Sequence, residues 1–474
     1  MFNLMAGADN PTARLRRRDL MKMSALGTLA SWGNAPIWAN EKDRVSKQGT
    51  AKNCIYIFLC GGPSQLEMWD PKPDAPSEIS GPFDAISTKV PGIQIGELLP
   101  RVAEHTDKMA IVRSMVNQTT VHDLGILHTL LASKNELKKP YPAEPSDHPA
   151  LGGILAKLLG PSGDLPPWVV APRHFTTGAR FYKGQSAGFL GPSFEPFALD
   201  EPKKNSLTRQ KFNLDQLKFT EGFVRERFEQ RRELLETLER NDSSLASLPE
   251  FRRQGEFYRA AIAMFDNDGA WKAFDVEREP LKVRERYGLN EYGQSFLLAR
   301  RLVEANVRLV NVFWTFYGRD GCQFNLWDNH GSEKDVCGGA KRGVDMLTHD
   351  YCCPSFDVAY SALLEDLHDR GLLDDTLVVV VGEFGRTPKI NKFTGRDHWG
   401  ACYSSVLAGG GVRGGQIYGE SDQHTSSVKD SPVTPYDLHA TVLHAFGIQS
   451  SETIPDRANR PIPVTDGQPV KALF

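Results

Sequence analysis

Six stretches of this chain have the apolar patterning of buried strands. Cys54-Ile55-Tyr56-Ile57-Phe58-Leu59-Cys60 is a continuous apolar run closed by Gly61-Gly62-Pro63-Ser64, as expected of a strand covered on both faces and ended by a tight turn. Met109 to Ser114, Trp168 to Val170, the alternating Val307 to Trp314, residues 377–381 and Ser404 to Ala408 repeat the signal. Between them, 148–159, 356–372 and 435–446 place apolar residues at helical spacing. Residues 172–205 are rich in Gly, Pro and Phe without periodicity, which predicts a long excursion. From about 207 to 305, charged residues interleave with Leu, Phe and Ile at helical spacing, a helical insertion or layer whose charge runs are solvated faces. Strands alternating with helices imply α/β architecture with a mostly parallel sheet. No internal repeat, P-loop or dinucleotide fingerprint is present, and Gly409 to Gly415 lacks the helix such a fingerprint needs.

The N-terminus is different in kind. Arg16-Arg17-Arg18-Asp19-Leu20-Met21-Lys22, a mild apolar stretch from Met23 to Ala30, and small residues up to Ala39 have the layout of a twin-arginine export signal. Residues 1–39 are therefore set apart from the fold, residues 40–53 read as a flexible lead-in, and 54–474 as the folded domain. Removing 1–39 takes five positive and two negative charges from a chain of net charge −3, leaving −6. That balance does not favour nucleic acid as a partner. No apolar run approaches the roughly 20 residues of a membrane span, so no integral span is expected after processing. The expected partners are the twin-arginine export machinery and an ester or sulfated polysaccharide, and the expected location is the periplasm or cell envelope. The seven Cys are too few for a disulfide scaffold; Cys54 and Cys60 fit buried apolar packing, and one pair among Cys322, Cys337, Cys352 and Cys353 is a candidate for oxidation.

Chemistry concentrates at the ends of the strands. Val378-Val379-Val380-Val381 runs into Gly382-Glu383, and Arg396-Asp397-His398-Trp399 follows fifteen residues after Glu383 (398 − 383). Asp328 and His330 flank one residue on the loop after another strand. Ligands collect at the carboxyl ends of strands in open α/β sheets, and Asp, Glu and His are ligands for divalent cations. Asp328, His330, Glu383 and His398 are accordingly the candidate metal ligands. His122, Asp123 and His128 form a second cluster. His122 and His128 are six apart and cannot share one helix face, so His122 reads as a loop residue acting as ligand, general acid or anion contact. Arg386 and Arg396 suit an anionic oxyacid group, or pair with Glu383 and Asp397. Ser64 offers a hydroxyl at the first turn, or simply makes the turn.

Several of these segments carry a resemblance. Gly61-Gly62-Pro63-Ser64-Gln65 with Trp69-Asp70-Pro71-Lys72-Pro73, Tyr287-Gly288 with Gly293-Gln294, and Leu297 to Ala305 belong to it. Trp327-Asp328-Asn329-His330, Gly382 to Pro388 and Gly395 to Trp399 complete it. Together they resemble the family known as domain of unknown function 1501 (DUF1501), which is similar in fold to the alkaline phosphatase and sulfatase superfamily. The resemblance implies a three-layer α/β/α sandwich with a mostly parallel central sheet and a helical insertion. It also implies one or two divalent cations (zinc, calcium, magnesium or manganese) and reactions on phosphate or sulfate esters. Asp328, His330 and His398 resemble the superfamily's metal-binding Asp and His residues. Phe384 stands where a further His is expected, and Cys60-Gly61 where the first strand usually ends in a metal-binding Asp. Cys352-Cys353-Pro354-Ser355-Phe356 nearly matches the sulfatase signature, but Phe356 replaces its Arg and it lies too late in the chain. The implied protein is an exported metal-dependent hydrolase in which His122 and Arg386 bind or polarise the ester oxyanion. The alternative is a non-catalytic envelope protein of the same fold that binds anionic or sulfated polysaccharide.

Overall fold

Eight strands of the central sheet can be traced in the computed structural model, which describes residues 49–134, 139–214, 271–319, 327–334 and 340–474 with isolated positions between them. The twin-arginine segment, Cys322 and Cys337 lie outside the described residues, as does nearly all of 215–270. The strands are β1 (Asn53–Leu59), β2 (Met109–Met115), β3 (Trp168–Ala171), β4 (Phe197–Ala198), β5 (Leu309–Trp314), β6 (Thr376–Val381), β7 (Tyr403–Ala408) and β8 (Gln416–Tyr418). Their spatial order is β8-β2-β7-β6-β1-β5-β3-β4. β1 is paired in parallel with both β5 and β6, β5 with β3, β3 with β4, and β2 with β8. β7 alone runs against its neighbours β6 and β2. The sheet is therefore mostly parallel, as the alternation of strands and helices implied.

Both faces of the sheet are covered, which is why its strands read as unbroken apolar runs. In β1 the side chains of Ile55, Ile57 and Leu59 join one core cluster, and those of Cys54, Tyr56 and Phe58 join the other, the two-residue period of a pleated strand. The first face carries α3 (Glu291–Glu304) and α4 (Cys353–Asp369), through residues such as Phe296, Leu298, Phe356, Tyr360 and Leu363. The second carries α1 (His122–Leu130), α2 (Leu151–Leu159) and α5 (Pro435–Ala445), through Ile126, Ile154, Leu155 and Val442. This is the three-layer arrangement. Local chemistry sets the helix starts. Asn290 accepts hydrogen bonds from the N–H groups of Tyr292 and Gly293, and Thr434 with Asp437 forms a capping box on α5.

At three places the structure adds detail to the sequence reading. Of the segment 207–305, read as a helical insertion or layer, the last part, α3, is a sheet-covering helix buried in the first core. The excursion 172–205 contributes the two-residue edge strand β4, too short to leave a periodic trace. The near-signature at Cys352-Cys353 sits at the start of α4, with both thiols buried in the core rather than presented to a substrate. Cys54, Cys60, Cys352, Cys353 and Cys402 are all free and buried. No helix among the described residues is long and apolar enough to cross a membrane.

His439 on α5 ties the second layer together and makes stability depend on acidity. Its Nε2–H donates to the Thr129 carbonyl at 2.7 Å, and the Tyr56 hydroxyl donates to the same oxygen. Its Nδ1 is buried with no hydrogen-bond partner among the described residues, so a second proton would be bare charge in the core. Burial holds the imidazole down at about 4 against an ordinary 6.5. The folded state keeps it neutral while the unfolded chain protonates it, so its contribution is present above pH 6.5 and is lost as pH falls towards 4. The loss is on the order of 3 kcal/mol. Urea denaturation of the wild type and His439→Gln across this range should show a difference that shrinks by that order; parallel profiles would contradict it.

Candidate metal centre

The central strands β6, β1 and β5 end side by side, and each continues into a loop that brings a functional group to the same edge. Gly61 follows β1, Glu383 follows β6, and the chain beyond β5 leads to Asp328. β2 delivers its downstream helix α1, with His122 as the first helical residue rather than a loop residue. β7 contributes because it is reversed: its amino end lies at this edge, and His398 precedes it. His398 and Trp399 pair with Arg386 and Gly385 in a short antiparallel ribbon. The loop 391–396 clasps the loop 328–330 through hydrogen bonds from Arg396 N–H to Asn329 O at 3.2 Å and from Asn391 to His330 O at 2.9 Å. Gly395 allows that clasp, since any β-carbon there would stand 2.1 Å from the Asn329 carbonyl oxygen.

Asp328 is the hub. One of its oxygens, Oδ2, lies 3.2 Å from His122 Nε2 and 3.3 Å from His330 Nε2. The other, Oδ1, lies 3.0 Å from His398 Nε2 and 2.6 Å from the Arg386 guanidinium. Burial alone would raise this carboxyl, but Arg386 and the three imidazoles hold it well below the usual carboxylate range. His122 is tethered from behind: its Nδ1 is 2.7 Å from Glu383 Oε1, and both Glu383 oxygens accept from the Gly61 N–H at 2.9 and 3.1 Å. Burial pushes His122 down, yet Asp328 and Glu383 outweigh it and raise the imidazole to about 9. In the chain by itself, then, a proton supplies the positive charge between two carboxylates.

His122, Asp328 and His398 offer ligand atoms that all lie within 4.8 Å of one another, a group that could hold a metal ion. The tautomers suit that use. His398 Nδ1 faces the carbonyl oxygen of Thr120 at 2.9 Å. A carbonyl only accepts, so Nδ1 carries a proton. Nε2, 3.0 Å from Asp328 Oδ1, then either donates to that carboxylate from an imidazolium or turns a lone pair to a cation. Nε2 of His122 is buried without a hydrogen bond of good geometry among the described residues. Imidazoles whose far nitrogen is held by a carboxylate or a carbonyl are the usual orientation of metal-binding His. Phe384, fully buried, packs against both rings at 5.0 Å from His122 and 4.8 Å from His398.

Each residue singled out from sequence has a definite place. Asp328, His398 and His122 come together. His330 touches Asp328 but is the most exposed member, with 41% of its side chain accessible and its Nδ1 bonded to the Gly331 carbonyl. Glu383 is completely buried one layer behind, in contact with His122 and Gly61 rather than with the cluster's open side. Arg386 is likewise fully buried; it donates to the carbonyls of Gly61, Gly62, Trp327 and Arg396 and pairs with Asp328. It therefore has no face for a substrate. Arg396 is spent on Glu67 and on three backbone carbonyls. Ser64 donates to Glu67 inside the protein. His128 holds Asn117, whose amide donates to the Glu383 carbonyl at 2.8 Å. Phe384 and Gly125 were missed. A β-carbon at Gly125 would lie 3.1 Å from Glu383 Cβ and from the Phe384 ring, so the glycine lets α1 approach closely enough for His122 to reach Glu383.

Residues 51–474 match the family described as Protein of unknown function (DUF1501), and the chain belongs to that family. No curated protein matches the sequence. Solved structures similar to the chain include a phosphonate monoester hydrolase from Silicibacter pomeroyi, 12% identical, covering 88% of this chain and 76% of its own, with a TM-score of 0.38. A protein in the alkaline phosphatase superfamily from Vibrio parahaemolyticus is 11% identical over 85% of this chain and 68% of its own, TM-score 0.37. A sulfatase from Pseudoalteromonas sp. is 11% identical over 95% of this chain and 73% of its own, TM-score 0.35.

Replacing Arg386 with Met would strand Asp328 and four carbonyls in a dry interior. Chemical denaturation should show a loss of about 3–5 kcal/mol, the usual result of removing one partner of a buried pair; a loss below about 1 kcal/mol would contradict the role described. Gly125→Ala should leave the melting temperature within a few degrees but weaken metal binding by roughly 10-fold through displacement of His122, measured by titration with zinc.

Proposed function

We propose that the protein is a metal-dependent hydrolase of phosphate or sulfate esters, with His122, Asp328 and His398 as the residues that hold the cation. The observation that supports this best is the convergence of those three ligand atoms from a helix start, a loop and a short ribbon. Three protein ligands with an open side are the arrangement of catalytic rather than structural sites. This reading moves His122 into the ligand set, places Glu383 behind it and leaves His330 at the mouth. A divalent cation there supplies Lewis-acid polarisation of an ester oxygen and makes water more acidic.

The chain's own groups do the rest. Glu383 holds the Nδ1 proton of His122 and so keeps Nε2 directed at the cluster. Arg386 keeps Asp328 ionised. Phe384 keeps water from the two rings, which strengthens every charge interaction beside it. His330 carries a raised affinity for its proton because Asp328 lies beside it. Exposed as it is, it is placed to give that proton to the departing alkoxide. Charge selects the substrate: Asp328 and Glu383 balance Arg386 and the protonated His330, and a divalent cation turns the sum to +2, which favours an anionic ester.

A second reading, a non-catalytic envelope protein that binds sulfated or anionic polysaccharide, is favoured by one observation. Ser64 is buried on Glu67, and burial together with Glu383 pushes the Cys60 thiol far up, so neither serves as a nucleophile. Export by the twin-arginine route to the periplasm or envelope is part of both readings; replacing Arg17 and Arg18 with Lys should leave the protein in the cytoplasmic fraction.

Purified protein assayed with aryl phosphates and aryl sulfates, with and without zinc, calcium, magnesium or manganese, separates the two. Under the enzyme reading, His398→Ala and His122→Ala lose bound metal by elemental analysis and lose turnover, while Glu383→Gln binds metal 10–100-fold more weakly. Tight glycan binding without turnover selects the second reading, and a metal content near zero after metal-replete growth sinks the enzyme reading.

A further inference from the structure

The two neighbours of His122 in sequence are each unusual. Val121, just before it, is a branched apolar side chain left 55% exposed. Asp123, just after it, lies in the first turn of α1 and anchors a piece of the Gly-, Pro- and Phe-rich excursion. Its carboxylate accepts from the hydroxyl of Tyr182 and from the Arg180 guanidinium at 3.3 Å. Tyr182 is buried and stacks on Phe175 at 5.3 Å. The hairpin formed by Thr176–Thr177 and Arg180–Phe181 is thus pinned to the residue that follows His122.

Arg180 itself is poised rather than consumed. Its guanidinium carbon stands 4.9 Å over the ring of Tyr141, which is set edge-on to Tyr182 at 5.6 Å. Half of the side chain is accessible. One N–H is given to Asp123; the planar fork keeps further donors for a carboxylate, sulfate or phosphate. An exposed ion pair contributes little to folding. A guanidinium already ordered by a ring and a carboxylate, however, loses little freedom when it binds an anion.

We propose that Arg180, ordered by Tyr141 and Asp123, forms with Val121 a subsite for a second anionic group of the substrate. The substrate is then an organic, multiply charged ester such as a saccharide carrying several sulfates or phosphates. Val121 meets its carbon skeleton, the metal centre takes one oxyanion, and Arg180 takes the next. This assignment rests on the metal-centred reading above.

Calorimetry on the full-length, zinc-loaded protein tests it with two probes, glucosamine 6-sulfate and a trisulfated heparin disaccharide. The wild type should bind the disaccharide about tenfold more tightly, the worth of one charge-assisted contact. Arg180→Ala should remove that preference, weakening the disaccharide about tenfold and the monosulfate less than about twofold, with Arg180→Lys in between. Equal loss for both probes, or loss for neither, overturns the subsite while leaving the metal-centred reading intact. A wild type that binds neither probe, or disaccharide binding unchanged in His398→Ala, overturns the metal-centred reading and the subsite with it.

Discussion

A guanidinium without access to water governs this end of the molecule. Arg386 reaches the carbonyls of the turn after β1, the carbonyl of Trp327, the carbonyl of Arg396 and the carboxylate of Asp328. Those acceptors belong to the loops after β1 and β5 and to the far arm of the β6–β7 connection that carries Arg386 itself. A buried charge left short of partners costs several kcal/mol, so none of the loops can settle alone. What looks from sequence like a residue for gripping a ligand is the fastener of the loops that carry the carboxylate and imidazole cluster. With Oδ1 engaged by Arg386, Asp328 stays ionised and presents its remaining lone pairs to imidazoles.

The centre is built in two depths. Groups with partial access to solvent, His122, His330, His398 and Asp328, surround the opening. Behind them Glu383, Phe384, Asn117 and His128 are buried and never reach the opening; Glu383 determines which nitrogen His122 presents, and with Phe384 how near α1 can come. A carboxylate held by a backbone N–H and facing an imidazole is a rigid device, because neither end has a competing water.

Much of this was readable beforehand. The strands β1, β2, β5 and β6 declare themselves because a sheet covered on both faces demands apolar residues at every position, and the loops that end them hold nearly all the ionisable groups that matter. Direction leaves no such mark: Tyr403 to Ala408 reads the same whether the strand runs up or down, and β7 runs down. Depth is equally silent. Glu383 and His122 are both acid–base groups at strand ends, and their order from the solvent is decided by a missing side chain at Gly125 together with the N–H of Gly61. Arg386 and Arg396 look alike in sequence beside their acidic neighbours, yet their partners are Asp328 and Glu67, residues hundreds of positions distant for Arg396 and dozens for Arg386.

The reversal of one strand has a bearing on time as well as on shape. With β7 entering the sheet from the opposite end, the imidazole that precedes it meets its counterpart at a sequence separation of 276 (398 − 122). Closing so wide a loop is entropically expensive, and contacts of that span form late. Until they do, the cluster is one imidazole short. Its completion is thereby deferred to the last stage of maturation, when the polypeptide has already committed to a single shape.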